Sequence, residues 1–485
     1  MNKFAVTGIL RTFSKHELKE FDKVVRSPYF GGSAYINKFW RELRKYYPEF
    51  KEDKIEREKL FKKIYPGKKY DDTVIRKIAS LLHKMAEQYI GLKRANTDTA
   101  WFIELFAAVS LRERRLNRLF ELKAGELEKR FDDLSVYDFQ RLLERHILQI
   151  QWMNYATDNN NSHKNFEYRM TYYRYGIIYF LSILMQETAR TWVEKNIYNN
   201  SAKFNVAEEM LSHIDLNSFA AVLEKQNFSY MPTFEVNRLM MNMYRAEEGH
   251  VHFFNYRDFL FAKGADMPMR VCYFYFIFLI NYCLKHSQSN EYDFTSELSN
   301  VIEKADEFGI ILDPQLKIII PANFLVGMEA HIDANQFARA EKFFKKYSGE
   351  LKGEYSEDTI NYTHASFELA RGNYRSALEF INKHDPFLVY NKVNFRILKL
   401  IALYELNLWE EFGLLVDSTR QFVRSTDLIS NVFRQRALDF LNAANRLFEA
   451  REKNSGNVVN IYESVNGNED LIQRKWLLKK CSEII

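Results

Sequence analysis

Turn-forming residues are scarce in this sequence: 17 glycines and 8 prolines in 485 residues, about 5% together against roughly 12% in an average protein. So few breaks leave little room for hairpins and tight turns, and they favour long helices. Cysteine is scarcer still. Cys272, Cys283 and Cys481 are too few and too scattered for a disulfide framework or a zinc site. The first two fall in a strongly apolar run, where a thiol acts as a small buried hydrophobe. This usage suits a reducing cytoplasm, and a cytoplasmic location is expected. Long apolar runs are missing as well. The most apolar stretch, MRVCYFYFIFLINYCL, runs for about 14 residues between Arg270 and Lys285, short of the roughly 20 that a spanning helix needs. No membrane contact is expected. The opening MNKFAVTGILRTF lacks the continuous apolar core and cleavage site of a signal peptide.

Catalytic signatures are absent too. His16-Glu17 in HELKE is not followed by the second histidine of a zinc helix, and Gly67-Lys68-Lys69 lacks the upstream glycine of a phosphate loop. His250 and His252 stand two apart, off a shared helix face and without a third ligand. The pairs Asp132-Asp133 and Glu247-Glu248 fall in predicted breaks, where solvation accounts for them. No nucleophile elbow or Cys/His arrangement can be assembled. The expectation is a protein that is not an enzyme and needs no metal or cofactor.

What is present is apolar, aromatic and unevenly charged. Apolar residues make up 47% of the chain, with 40 Phe and 29 Tyr as the main core filler. Residues 1–95 hold 23 Lys and Arg against 12 Asp and Glu, net +11, while the remaining 390 hold 46 against 52, net −6. A basic head on a mildly acidic body points to a polyanion contact or to docking of one part on the other.

Between Ala322 and Val423 one mark occurs three times. Phe337 in NQFARAEKFF, Tyr374 in GNYRSALEFI and Trp409 in NLWEEFGLLV lie 37 and 35 residues apart. Each follows a polar break and opens an apolar helical pattern. A period near 35 built from two helices is the signature of a helical-repeat array. The expected fold class is therefore all-α, with a basic helical module over 1–95 and irregular helical hairpins over 96–321. Repeats follow over 322–453, then a linker and C-terminal helix over 454–485 that caps the open end. The array is expected to be a right-handed α-solenoid of antiparallel helix pairs. In the module, the capping box Ser14/Glu17 starts a helix that Ser27-Pro28 ends at Arg26. Further helices are expected over Ser33–Tyr46 and Asp53–Tyr65, and from Asp71-Asp72 onward.

Thr359 to His384 resembles a tetratricopeptide repeat. Gly372-Asn373-Tyr374 matches that family's turn and first aromatic, Ala377 its small crossing residue, and Phe380-Ile381 its large one. Phe337, Ala340 and Phe343-Phe344 repeat the pattern, whereas Phe412 replaces the small residue in the third unit. The whole chain also resembles a group of bacterial proteins without an established activity. FSKHELKEFDKVVRSPYFGG and Trp476-Leu477-Leu478 carry that likeness, with Gly31 where the group has Asn.

The repeat, together with the missing catalytic site, points to a non-enzymatic scaffold or adaptor that binds another protein or peptide on its concave face. The tetratricopeptide pattern implies Tyr362, Ser366, Asn394, Ile397 and Tyr404 as groove-facing positions, a polar and aromatic mixture suited to a peptide. The run Tyr168, Tyr172, Tyr173, Tyr175 and Tyr179 reads either as core packing or as a second tyrosine-lined groove. The alternative function is a nucleic-acid-associated regulator. Lys59, Lys62, Lys63, Lys68 and Lys69, interleaved with Tyr65 and Tyr70, would track a phosphate backbone. The same lysines also read as a solvated helix end that complements the helix dipole.

Overall fold

A computed structural model describes residues 4–51, 54–97, 100–132, 135–196, 205–245, 250–287, 292–314, 316–352, 356–383, 385–386, 389–453, 458–468 and 471–485. Among these residues the chain is all α-helical, and an isolated bridge between Ile319 and Leu351 is the only β pairing. The expected turn at 247–249 and the break at 454–457 lie outside the described residues.

Contacts divide the chain into two compact units. The first takes residues 1–133 and 151–165. Its helices are Ala5–Arg11 (α1), Lys15–Arg26 (α2), Ala34–Leu43 (α3), Arg57–Ile64 (α4), Asp72–Thr97 (α5), Ala100–Glu113 (α6) and Asn117–Asp132 (α7), with parts of Gln140–Asp158 (α8) and Ser162–Asn196 (α9). Helix α2 opens with the expected capping box: the Glu17 amide donates to Ser14 Oγ at 3.2 Å and the Ser14 amide to the Glu17 carboxylate at 2.7 Å. Gly31 has φ +81°, and a Cβ on Gly32 would meet the Val25 carbonyl oxygen at 2.6 Å. Left-handed backbone suits Gly31, whereas Gly32 is required by space. Helix α4 begins at Arg57, later than expected; Asp53 lies outside the described residues. The buried cluster runs from Phe4 to Tyr89, with Phe21 set edge-on to Trp40 at 5.1 Å. That core lies within residues 4–89, while the compact unit goes on through α7 and takes in residues 151–165.

The second unit takes residues 134–150 and 166–485. After its parts of α8 and α9 come Val206–Ser212 (α10), Leu216–Lys225 (α11), Met231–Arg245 (α12), Val251–Lys263 (α13), Met269–His286 (α14), Phe294–Glu307 (α15), Pro321–Asp333 (α16) and Phe337–Tyr347 (α17). Ser356–Ala370 (α18), Tyr374–Lys383 (α19), Val389–Glu405 (α20), Trp409–Ser425 (α21), Asn431–Lys453 (α22), Val458–Asn466 (α23) and Arg474–Ile484 (α24) follow. The apolar run is α14, whose Cys272, Tyr275, Phe276 and Cys283 are buried. Among the described residues no helix is long and apolar enough to cross a membrane. The tyrosines of α9 divide. Tyr175 packs on Tyr230 and Tyr179 stacks on Phe139, while Tyr173 is exposed in a stripe with Phe166, Met170, Ile177 and Phe180.

The aromatic marks coincide with one repeated turn. Asn335, Gly372 and Asn407 take left-handed φ values of 56°, 80° and 55°. The next amide then reaches five residues back: Gln336 to His331 at 2.8 Å, Asn373 to Glu368 at 2.8 Å and Leu408 to Leu403 at 3.0 Å. This Schellman closure satisfies the open carbonyls of the first helix and turns the chain into the second. Phe337, Tyr374 and Trp409 each come two residues after the left-handed position. The same closure recurs at Arg115, Asn160, Asn227 and Gly309, where no aromatic pattern announced it. Ala340 and Ala377, in the first turn of α17 and α19, are fully buried. In the third hairpin Phe412 is buried as well, 5.9 Å from Tyr404 and 5.3 Å from Phe448. There a cluster of rings fills the space between the helices.

Candidate partner-binding face

Helices α16, α18 and α20 pack in succession, and Ala365, Ile381, Phe395 and Leu398 join α18, α19 and α20 in one buried cluster. The spacings of 37 and 35 residues make Glu329 the counterpart of Ser366. By the same register Asp333, Ala370 and Glu405 are equivalent, each the last residue of its helix.

Tyr362 and Ser366 lie half-exposed on α18. The Tyr362 ring sits edge-on to Phe395 at 5.6 Å; burial, and then the nearby Glu329 charge, hold its hydroxyl well above the ordinary tyrosine pKa, with Ser366 pulling the other way. Crowding by protein, and then the neighbouring Asp333 carboxylate, raise Glu329 to about 7, with the Tyr362 hydroxyl pulling the other way. Crowding also raises Asp333, against the charge of Lys475. Both carboxylates nevertheless have exposed surface.

The other three sequence-predicted positions fare differently. Asn394 is half-exposed on α20. Ile397 and Tyr404 are 2% and 0% exposed and belong to the core shared with α21 and α22, so neither faces a groove. The cause is that α20 is covered on two flanks, by α18 and α19 through Phe395 and Leu398 and by α21 through Phe412. Tyr404 is closed further by Trp476, whose ring lies 5.2 Å away.

That tryptophan belongs to α24, and the tail helix does more than cap the last pair. Trp476 Nε1 donates to Glu405 at 2.8 Å, and Lys480 Nζ donates to the same carboxylate at 2.9 Å. Lys475 Nζ donates to Thr295 Oγ1 at the start of α15. Burial works against the Lys480 charge, but hydrogen bonds to Glu483 and Glu405 outweigh it and hold the ammonium above its ordinary pKa. The tail thus reaches back over several helices.

The five predicted lysines are exposed, and three stand in ion pairs. Lys59 pairs with Glu56 at 2.7 Å, Lys62 with Glu58 at 2.8 Å and Lys63 with Glu42 at 3.1 Å. Lys68 lies over the Tyr65 ring at 5.5 Å, and Lys69 is exposed. One Ser-His pair is assembled: Ser299 Oγ and His331 Nδ1 lie 2.8 Å apart. They are 0% and 3% exposed, so no substrate reaches them. The described residues contain no group of three or more His, Cys, Asp or Glu able to hold a metal ion.

No protein-family model, curated protein or solved structure matches the chain.

Sequence reasoning missed Glu329, Asp333 and Glu405. The signal was available in the repeat register, which carries Ser366 back to Glu329 and links Asp333 to Glu405.

Proposed function

We propose that this chain is a non-enzymatic adaptor that binds a cationic segment of another protein on the face made by α16, α18 and α20. The hairpins carrying that face are read as a right-handed solenoid with these first helices on its concave side. One observation supports the reading above the rest: α16 presents two exposed carboxylates, Glu329 and Asp333, with Glu329 next to the Tyr362 hydroxyl. An arriving lysine or arginine relieves the penalty on such carboxylates, and tyrosine rings anchor a peptide at low entropy cost. The chain offers its own precedent, because Lys480 already engages Glu405, the counterpart of Asp333 two repeats on. A cytoplasmic location goes with this reading and with three unpaired, buried thiols.

The test is affinity capture from the native cytoplasm at about pH 6 and about pH 8, using intact protein, Tyr362→Ala and Glu329→Gln. With a pKa of about 7, Glu329 is mostly protonated at the lower pH and ionised at the higher. Capture of a basic partner should therefore rise with pH in intact protein and lose that rise in Glu329→Gln. Recovery of the same partners at unchanged yield with both variants would remove this face from the binding site.

A further inference from the structure

The first unit gathers its cations somewhere other than at the predicted lysines. A cleft of about 540 Å³ lies between α2 and α3, within the roughly 300–1,000 Å³ of small-ligand sites. Five cationic side chains line it: Arg26 from α2, Lys38 and Arg41 from α3, and Arg44 and Lys45 just beyond α3. Lys38, Arg41 and Arg44 or Lys45 recur at helical spacing, so they share one side of the chain. The only carboxylate in the lining is Asp22.

Asp22 acts as a tether. Its carboxylate accepts from Trp40 Nε1 at 3.0 Å and pairs with Arg26 at 2.7 Å and Arg44 at 3.4 Å. Both guanidinium groups are thereby held at the rim. Glu42 similarly restrains Lys45 at 2.7 Å. Lys38 and Arg41 have no ion pair among the described residues, and both are exposed. Like charges three residues apart repel on a helix, so this grouping costs stability unless an anion joins it. Asn37 also lines the cleft, and its enclosed Oδ1 has no hydrogen-bond partner.

We infer that this cleft binds a compact, multiply charged phosphate anion of the pyrophosphate-to-nucleoside-triphosphate class. Guanidinium forks match phosphate oxygens two at a time, and a convergent set of cations suits closely spaced phosphates. A single strand needs exposed rings for its bases to stack on, and Trp40, the only aromatic residue in the lining, is buried.

Isothermal titration of the full chain with inorganic pyrophosphate, and separately with ATP, at about 50 mM salt tests the inference. Intact protein should bind both saturably at one site. Lys38→Ala/Arg41→Ala should weaken binding at least about tenfold, whereas Lys59→Ala/Lys62→Ala should leave it unchanged. All four positions are exposed, and circular dichroism melts confirm that the variants remain folded. Absence of saturable binding, or equal loss in both double variants, would overturn the site. Tighter binding of a short DNA duplex than of pyrophosphate, abolished by Lys38→Ala/Arg41→Ala, would overturn the ligand class in favour of nucleic acid.

Discussion

Replacing Glu405 with alanine tests how the tail helix is held. The carboxylate accepts from Trp476 Nε1 at 2.8 Å and from Lys480 Nζ at 2.9 Å, and the Lys480 and Glu405 side chains are 9% and 10% exposed. Removing one member of a buried pair costs about 3–5 kcal/mol, because the other charge is stranded. Here Lys480 keeps Glu483 at 2.8 Å, so the lower end applies, about 3 kcal/mol. Glu405→Gln keeps an acceptor for Trp476 but loses the charge, and should fall between wild type and alanine. Urea unfolding followed by circular dichroism gives the free energies, taken from the transition that includes the second unit, because two compact units need not unfold together. A cycle with Lys480→Ala isolates the pair and should return a coupling of about 1–3 kcal/mol. The exposed pair Lys383–Glu379 is the control, expected near zero. If Glu405→Ala costs no more than that control, α24 is not fastened by this carboxylate.

Acid should weaken the second unit through His331. Burial, helped by Arg339 and Lys342 against Asp306, lowers its pKa to about 4. The unfolded chain therefore takes up the proton first, and up to about 3 kcal/mol is lost as pH falls from about 6.5 to 4. Urea stability of His331→Gln should fall less over that range, and an equal fall in both proteins would clear His331 of the effect. Gly372→Val places a branched residue at φ +80° and should cost about 1–2 kcal/mol. Asn407→Gly, at φ 55°, should be neutral or mildly stabilising, and melting temperatures separate the two. The thiols of Cys272 and Cys481, pushed up by burial to about 12 and about 11, should resist alkylation at about pH 8 until the chain unfolds; rapid labelling of native protein would contradict that.

The fold was legible where local chemistry leaves a mark. The Ser14/Glu17 box, the Ser27-Pro28 stop and the three aromatics after left-handed Asn335, Gly372 and Asn407 all act within a few residues. Helix α1 escaped because its seven residues are too few for a periodic pattern, and α23 because it is only nine residues long and directly follows a polar break. The site was legible only in part. Tyr362 and Ser366 follow from the repeat register, but the enclosure of Ile397 and Tyr404 depends on α21, α22 and Trp476, the last of them 72 residues after Tyr404 in the sequence. The surroundings of the lysine cluster were hidden for a related reason: Glu42, which pairs with Lys63, stands 21 residues upstream, and of the cations in the α2–α3 cleft Arg26 joins those of residues 38–45 only once the two helices pack.

Helix α24 also sets an order of events during synthesis. Glu405 and Trp476 are 71 residues apart, which at about 5–20 residues per second is a wait of roughly 4–14 s. Through that interval Tyr404 and the Glu405 carboxylate emerge from the ribosome without Trp476 and Lys480 to cover them. A nascent chain thus displays an acidic, aromatic surface that the finished protein closes off. Chaperones that recognise exposed rings have that window in which to act, and a chain stalled between the two segments would stay open.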